Sequence, residues 1–270
     1  MRKIFVFVIC LLFMVGIACA DDFGYAPDLS IIFEQANKGD AQAQFLLGVA
    51  YDNGSVIQQD SNEAVKWYLK AAEQGHAGAQ FYMGVMCENG WGIQQDKREA
   101  FKWFKKSAEQ GDTTAQYNLA CMYHEGEGTR QNYSEAFKWS KKSAEQGYAK
   151  AQFNLGLLYY DGEGVRQNYS EAFKWFKKSA EQGYAEAQYN LGIMYEQGKG
   201  TRQNYSEAFN WFKKSAEQGY AEAQYNLALM YGTGNGTRQN YSEAFKYMRL
   251  SAQQGNIPAQ EFLTQQGLTW

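Results

Sequence analysis

Side chains able to attack, titrate or bind a metal near neutral pH are few in this chain: two histidines, four cysteines and scattered carboxylates. His76 falls at a helix junction and His124 at a helix end. Neither has a second ligand or a nucleophile within sequence reach, so both read as solvated surface. No Walker-type glycine loop, His-Glu-x-x-His, Cys-x-x-Cys pair or calcium loop occurs. The expectation is therefore no catalytic residue, no metal ligand and no cofactor. Asn132, Asn168, Asn204 and Asn240 each open an Asn-Tyr-Ser triplet, the pattern of a glycosylation acceptor. Helix capping accounts for the same asparagines without a sugar.

The elements that would hold any site must come from 270 residues that are 45% hydrophobic and 20% charged, with net charge −3. That balance buries a core and argues against nucleic acid as partner. Residues 1–20 read as an export signal. Arg2 and Lys3 precede the apolar stretch Ile4 to Ile17, and Ala18-Cys19-Ala20 supplies the small residues of a cleavage site before Asp21. An uncleaved anchor is the competing reading, but the stretch is short for a membrane span. Lipidation at Cys19 is disfavoured by Gly16, which stands where an aliphatic residue is usual. The expectation is an exported protein, periplasmic or secreted, with no integral membrane segment after cleavage.

Cleavage leaves Cys87 and Cys121. Cys121 lies ten residues after Gly111, whereas Cys87 lies twelve after Gly75. Two residues turn a helix by about 200°, so the thiols point to different faces, and a buried small hydrophobe accounts for Cys87 better than a disulfide.

The order of the chain lies in its register. Gly39, Gly75, Gly111, Gly147, Gly183, Gly219 and Gly255 stand 36 residues apart without a slip. Trp67, Trp103, Trp139, Trp175 and Trp211 keep the same phase, with Tyr247 in the sixth turn. Such a period signals a stack of units, none of which buries its apolar face alone. Each unit reads as two helices. The first runs as Ala185 to Gln197 does and stops at a glycine such as Gly126, Gly162 or Gly198. The second starts at a cap with a glutamate three residues on, Asn204/Glu207 and its equivalents, the spacing of a capping box. Residues 21–38 form a half-repeat cap, 39–254 six full units (39–74, 75–110, 111–146, 147–182, 183–218 and 219–254), and 255–270 a closing helix that Pro258 starts before Ala259 to Gln266. The sum is fourteen helices, all-α.

With Ala187, Gln188, Leu191, Gly192, Tyr195, Gly198, Gly200, Glu207, Ala208, Trp211, Ala216 and Gly219 in place, the unit resembles the Sel1-like repeat, a relative of the tetratricopeptide repeat. The resemblance covers residues 39–254. It departs at Val56, which replaces the second loop glycine, and at Leu46 and Tyr82, which replace a later asparagine. It implies a right-handed α-solenoid of 36-residue helix-turn-helix repeats, acting mostly as an interaction scaffold and often bacterial and exported. A cysteine-rich branch of this family has been linked to β-lactam binding and hydrolysis, so an enzyme acting on β-lactams or cell-wall peptide is the alternative. The chain lacks Ser-x-x-Lys, Ser170 to Lys174 being one residue too long, and it lacks that branch's paired cysteines.

The doublets Lys105-Lys106, Lys141-Lys142, Lys177-Lys178 and Lys213-Lys214 each face a glutamate three and four residues on, and read as a solvated face rather than a polyanion site. The column Phe45, Phe81, Tyr117, Phe153, Tyr189 and Tyr225 reads as packing between repeats. What the core leaves unclaimed is the first-helix stripe three, seven, ten and fourteen residues after each glycine. By the resemblance this stripe lines the concave surface. Its groove candidates are Tyr82, Asn118, Asn154, Asn190 and Asn226, with Lys150, Glu186 and Glu222 alongside. Asparagine amides can hold the backbone of an extended peptide, so a peptide or protein partner is expected. The competing reading is that each asparagine bonds its own solenoid.

Overall fold

A computed structural model describes residues 29–270; the expected leader, its cleavage point and Cys19 lie outside them. Among the described residues there are fourteen helices and no strand. They are α1 (Leu29–Asn37), α2 (Ala41–Asn53), α3 (Ser61–Glu73), α4 (Ala77–Asn89), α5 (Lys97–Glu109), α6 (Thr113–Glu125) and α7 (Tyr133–Glu145). There follow α8 (Ala149–Asp161), α9 (Tyr169–Glu181), α10 (Ala185–Gln197), α11 (Tyr205–Glu217), α12 (Ala221–Thr233), α13 (Tyr241–Gln253) and α14 (Ile257–Gln265). The chain divides into two compact units after Ala115. In the first, α1 to α5 each pack on the next in sequence, and in the second α7 to α14 do the same, as a repeat solenoid requires.

Local chemistry sets the helix ends. First helices stop where Gly54, Gly90, Gly162, Gly198 or Gly234 turns left-handed and returns its N–H to a carbonyl of the last turn. Second helices start where Asp60, Asp96, Asn132, Asn168, Asn204 or Asn240 accepts the N–H of the glutamate three residues on. The capping box is only half made. The N–H of each cap residue goes to a carbonyl of the preceding first helix, as Asn168 N–H does to Tyr159. The freed glutamates instead take a lysine three residues on, for example Lys174 on Glu171, except Glu207, which has Asn210 at that place. The closing helix begins two residues earlier than its sequence suggests, because Asn256 caps it by accepting the Ala259 N–H at 3.1 Å.

The second loop glycine has a separate role. A Cβ at Gly164 would lie 2.0 Å from the Tyr133 carbonyl oxygen of the preceding second helix, and Gly92, Gly200 and Gly236 sit equally close to their counterparts. Val56, at that place in the first unit, is 63% exposed and keeps a negative φ.

Where a hairpin carries a glycine inside its first helix at this place, that glycine meets a ring of the second helix. A Cβ at Gly84, Gly156 or Gly192 would come within 2.6–2.7 Å of the Phe104, Phe176 or Phe212 ring. Those three rings are sealed from solvent. Trp67, Trp139 and Trp211 are buried, and Trp103 and Trp175 half-buried. Each carries a lysine ammonium about 4 Å above its ring, from Lys70, Lys106, Lys142, Lys178 or Lys214.

Candidate functional site

Two positions on each first helix of the second unit divide the labour. Eight residues after the repeat glycine stand Leu119, Leu155, Leu191 and Leu227, all sealed in the core. Two residues further on, Cys121, Leu157 and Ile193 are half-buried and Leu229 is exposed. Beside that row run Asn118, Asn154, Asn190 and Asn226, all half-buried.

Three of these asparagines already hold a bond inside the chain. Asn154 Nδ2 lies 3.5 Å from the Cys121 sulfur of the neighbouring first helix, and Asn190 Nδ2 donates to the Glu186 carbonyl at 2.9 Å. Asn226 bonds the Tyr189 phenol. An amide has two N–H groups and a carbonyl, so each keeps hydrogen-bonding capacity in hand. Lys150 and Glu222 are exposed on the same stripe, and Glu186 is half-buried beside the Tyr184 phenol. Burial and the Glu186 charge push that phenol up to about 12. Tyr82 stands apart from the group. It stacks on Tyr68 at 5.1 Å and touches Phe45 and Phe81, a packing role that its half-buried ring fulfils in the first unit.

Both histidines are engaged rather than solvated. His76 caps α4, its Nδ1 accepting the Ala79 N–H at 3.1 Å, and its ring stacks on Phe45 at 4.5 Å. His124 Nε2 meets Glu163 at 2.7 Å, a partner 39 residues away that no local pattern reveals. The lysine doublets are self-satisfied too. The first of each pair faces a glutamate at 3.8–3.9 Å, and the second covers a tryptophan. Phe45, Tyr117, Phe153 and Tyr189 do pack onto the start of the next first helix, against His76, Tyr148, Tyr184 and Tyr220.

One set of residues escaped sequence reasoning. The glutamine of the Ala-Gln motif is buried in every unit, and Gln152 shows its use: its amide donates to the Ala144 carbonyl and its oxygen accepts from Gln182 at 2.7 Å. Gln44, Gln80, Gln188 and Gln224 repeat the arrangement. The signal was a polar residue flanked by buried apolar positions at every period. No group of histidine, cysteine and carboxylate side chains among the described residues could hold a metal. Lys174 is tied to Glu171 at 2.6 Å, which does not bring an acyl-transfer pair together with Ser170. Neither Cys87 nor Cys121 is joined in a disulfide among the described residues.

A model of the Sel1 repeat matches six consecutive segments, 41–76, 77–112, 113–148, 149–184, 185–220 and 221–256. The chain belongs to the Sel1 repeat family. Among solved structures, a Sel1 repeat protein from Oxalobacter formigenes shares 32% identity at TM-score 0.72, covering 84% of this chain and 97% of its own. A protective antigen of uropathogenic Escherichia coli with an SLR fold shares 38% identity at TM-score 0.83 over 89% of this chain. This Sel1 repeat protein spans 52% of that antigen's length. No curated protein matches it. The matched family is a repeat scaffold, a fold that suggests protein–protein interaction, and its description names no catalytic class. No helix among the described residues is long and apolar enough to cross a membrane.

Proposed function

We propose that this Sel1 repeat protein is an exported, non-catalytic scaffold that holds an extended peptide or protein segment along the first-helix face of its second unit. The observation that carries the reading is the half-exposed apolar row Cys121, Leu157, Ile193 and Leu229, running beside the row of partly engaged asparagines. Apolar side chains of a partner would cover the first row, and its backbone would meet the second. Export rests on the leader pattern from Arg2 to Ala20, and agrees with the description of the similar Escherichia coli protein as a protective antigen.

The test begins with a partner recovered by the mature protein from the exporting compartment. Replacing Asn154, Asn190 and Asn226 together by alanine removes bonds worth on the order of 1 kcal/mol each, hence roughly a hundredfold in Kd. Melting should shift by only a few degrees. Alanines at Lys141, Lys177 and Lys213 should leave affinity nearly unchanged. A triple variant that melts far lower yet still binds would make the asparagines purely structural. The secreted form should begin at Asp21 by intact mass, and retention of residues 1–20 would refute export by cleavage.

A further inference from the structure

At the ring position of the second helix stand Tyr68, Phe104, Phe176 and Phe212, each fully buried against a glycine of its first helix. In α7 that position is Ser140, and the facing residue is Ala120. The space a ring fills elsewhere is open here. A cavity of about 240 Å³ lies between α6, α7 and α8. Ala120, Ala136, Leu157 and Leu158 give it apolar surface, His124 and Glu125 add polar groups, and the half-buried Cys121 and Asn154 also line it. These last two belong to the first-helix stripe, so the cavity opens on the face proposed to hold a partner.

Its floor points to a ligand. Ser140 is 2% exposed, yet its hydroxyl makes no hydrogen bond within the described chain. Among the described residues no sealed side-chain oxygen or nitrogen lacks a partner. The Ser140 hydroxyl must therefore reach the open space of the cavity, where it can donate and accept. The Cys121 thiol already receives the Asn154 amide and lies beside the Tyr117 phenol.

We propose that this cavity receives a tyrosine side chain of the bound peptide, resting on the reading that the first-helix face binds one. A ring restores the packing that Ser140 gives up, and burying it is favourable for the same reason that burying Phe176 is. A hydroxyl at the ring's far end meets Ser140, which a phenylalanine would leave unpaired.

N-acetyltyrosinamide titrated into ¹⁵N-labelled mature protein is the direct probe, because it needs no identified partner. Saturable shifts should centre on Cys121, Ser140 and Leu157. N-acetylphenylalaninamide should bind about tenfold more weakly, and N-acetylleucinamide should give no saturation. The double variant Ala120→Gly, Ser140→Phe carries the glycine–ring pair of the neighbouring units, so it should fold at least as stably and lose the tyrosinamide shifts. Ser140→Phe alone should be less stable, since Ala120 keeps the methyl that glycine lacks elsewhere. No saturable shift at these residues, or shifts that survive in the folded double variant, would overturn the cavity reading. p-Cresol binding as tightly as the amide would show a site for free phenols and overturn the peptide source. Failure here with an intact asparagine effect on the recovered partner would leave the scaffold function standing and remove only this cavity from it.

Discussion

Twenty residues separate each first-helix glycine from the ring it admits, and the two change together. Where Gly84, Gly156 and Gly192 stand, the ring is phenylalanine; where Ala120 and Ala228 replace the glycine, Ser140 and Met248 replace the ring. The cause is distance, because a methyl at Gly192 would meet the buried Phe212 ring at 2.7 Å. Gly192→Ala gains about 1 kcal/mol of helix propensity but overpacks a sealed ring, which costs roughly 1–3 kcal/mol. A net loss in denaturant midpoint is expected, and it should vanish or reverse in a Phe212→Met background, which copies the Ala228/Met248 pairing. Additive effects in that double-mutant cycle would refute the coupling. Both substitutions stand in the sequence, but their pairing was not read there, because only the folded hairpin brings Gly192 against Phe212. The His124–Glu163 contact was not legible, because side chains 39 residues apart meet only once the helices are stacked.

Helices carry their boundaries in local chemistry, and for that reason α10 falls on the expected residues 185–197 without error. Where prediction slipped, as at α14, an unremarked asparagine cap had displaced proline as the starting signal. The cap of α4 is the unusual one. His76 Nδ1 accepts the Ala79 N–H, which only the neutral imidazole can do, and burial against Phe45 lowers its pKa below the ordinary 6.5. The stability this cap contributes is therefore present above about pH 6.5 and is lost as pH falls through the lowered folded-state value. His76→Asn keeps an acceptor that does not titrate. Melting temperatures of the two proteins should diverge between pH 7 and pH 5, the histidine form losing more. The burial that raises Asp52 and Asp112 acts with the opposite sign, but equally in both proteins, so the difference isolates His76. Parallel curves would mean that the histidine is not a functional cap.

At the scale of the molecule, helices touch mainly their neighbours in sequence, so damage should stay local. Trp139→Ala removes a 5%-exposed indole and should cost about 3–5 kcal/mol. Hydrogen exchange should show protection lost in α7 and α8 and kept in α12 and α13; uniform loss would refute nearest-neighbour coupling. The repeat count and helix number were legible because glycine marks every period and tryptophan all but the last, whereas the glutamine relay was hidden behind a polar residue type that normally faces water. That relay carries a consequence for inheritance. Within a unit it joins side chain to side chain, as Gln182 does to Gln152, but across a junction Gln152 reaches only the Ala144 backbone carbonyl. The loop glycine likewise rests on a carbonyl of the unit before it. In these two contacts each unit brings its own side of the pair and asks of its predecessor only a main-chain carbonyl, which every unit has. Recombination that adds or deletes one 36-residue segment leaves both kinds of contact intact, so copy number can drift while the fold is retained, and near-identical tandem copies such as 168–192 and 204–228 are what recent drift would leave behind.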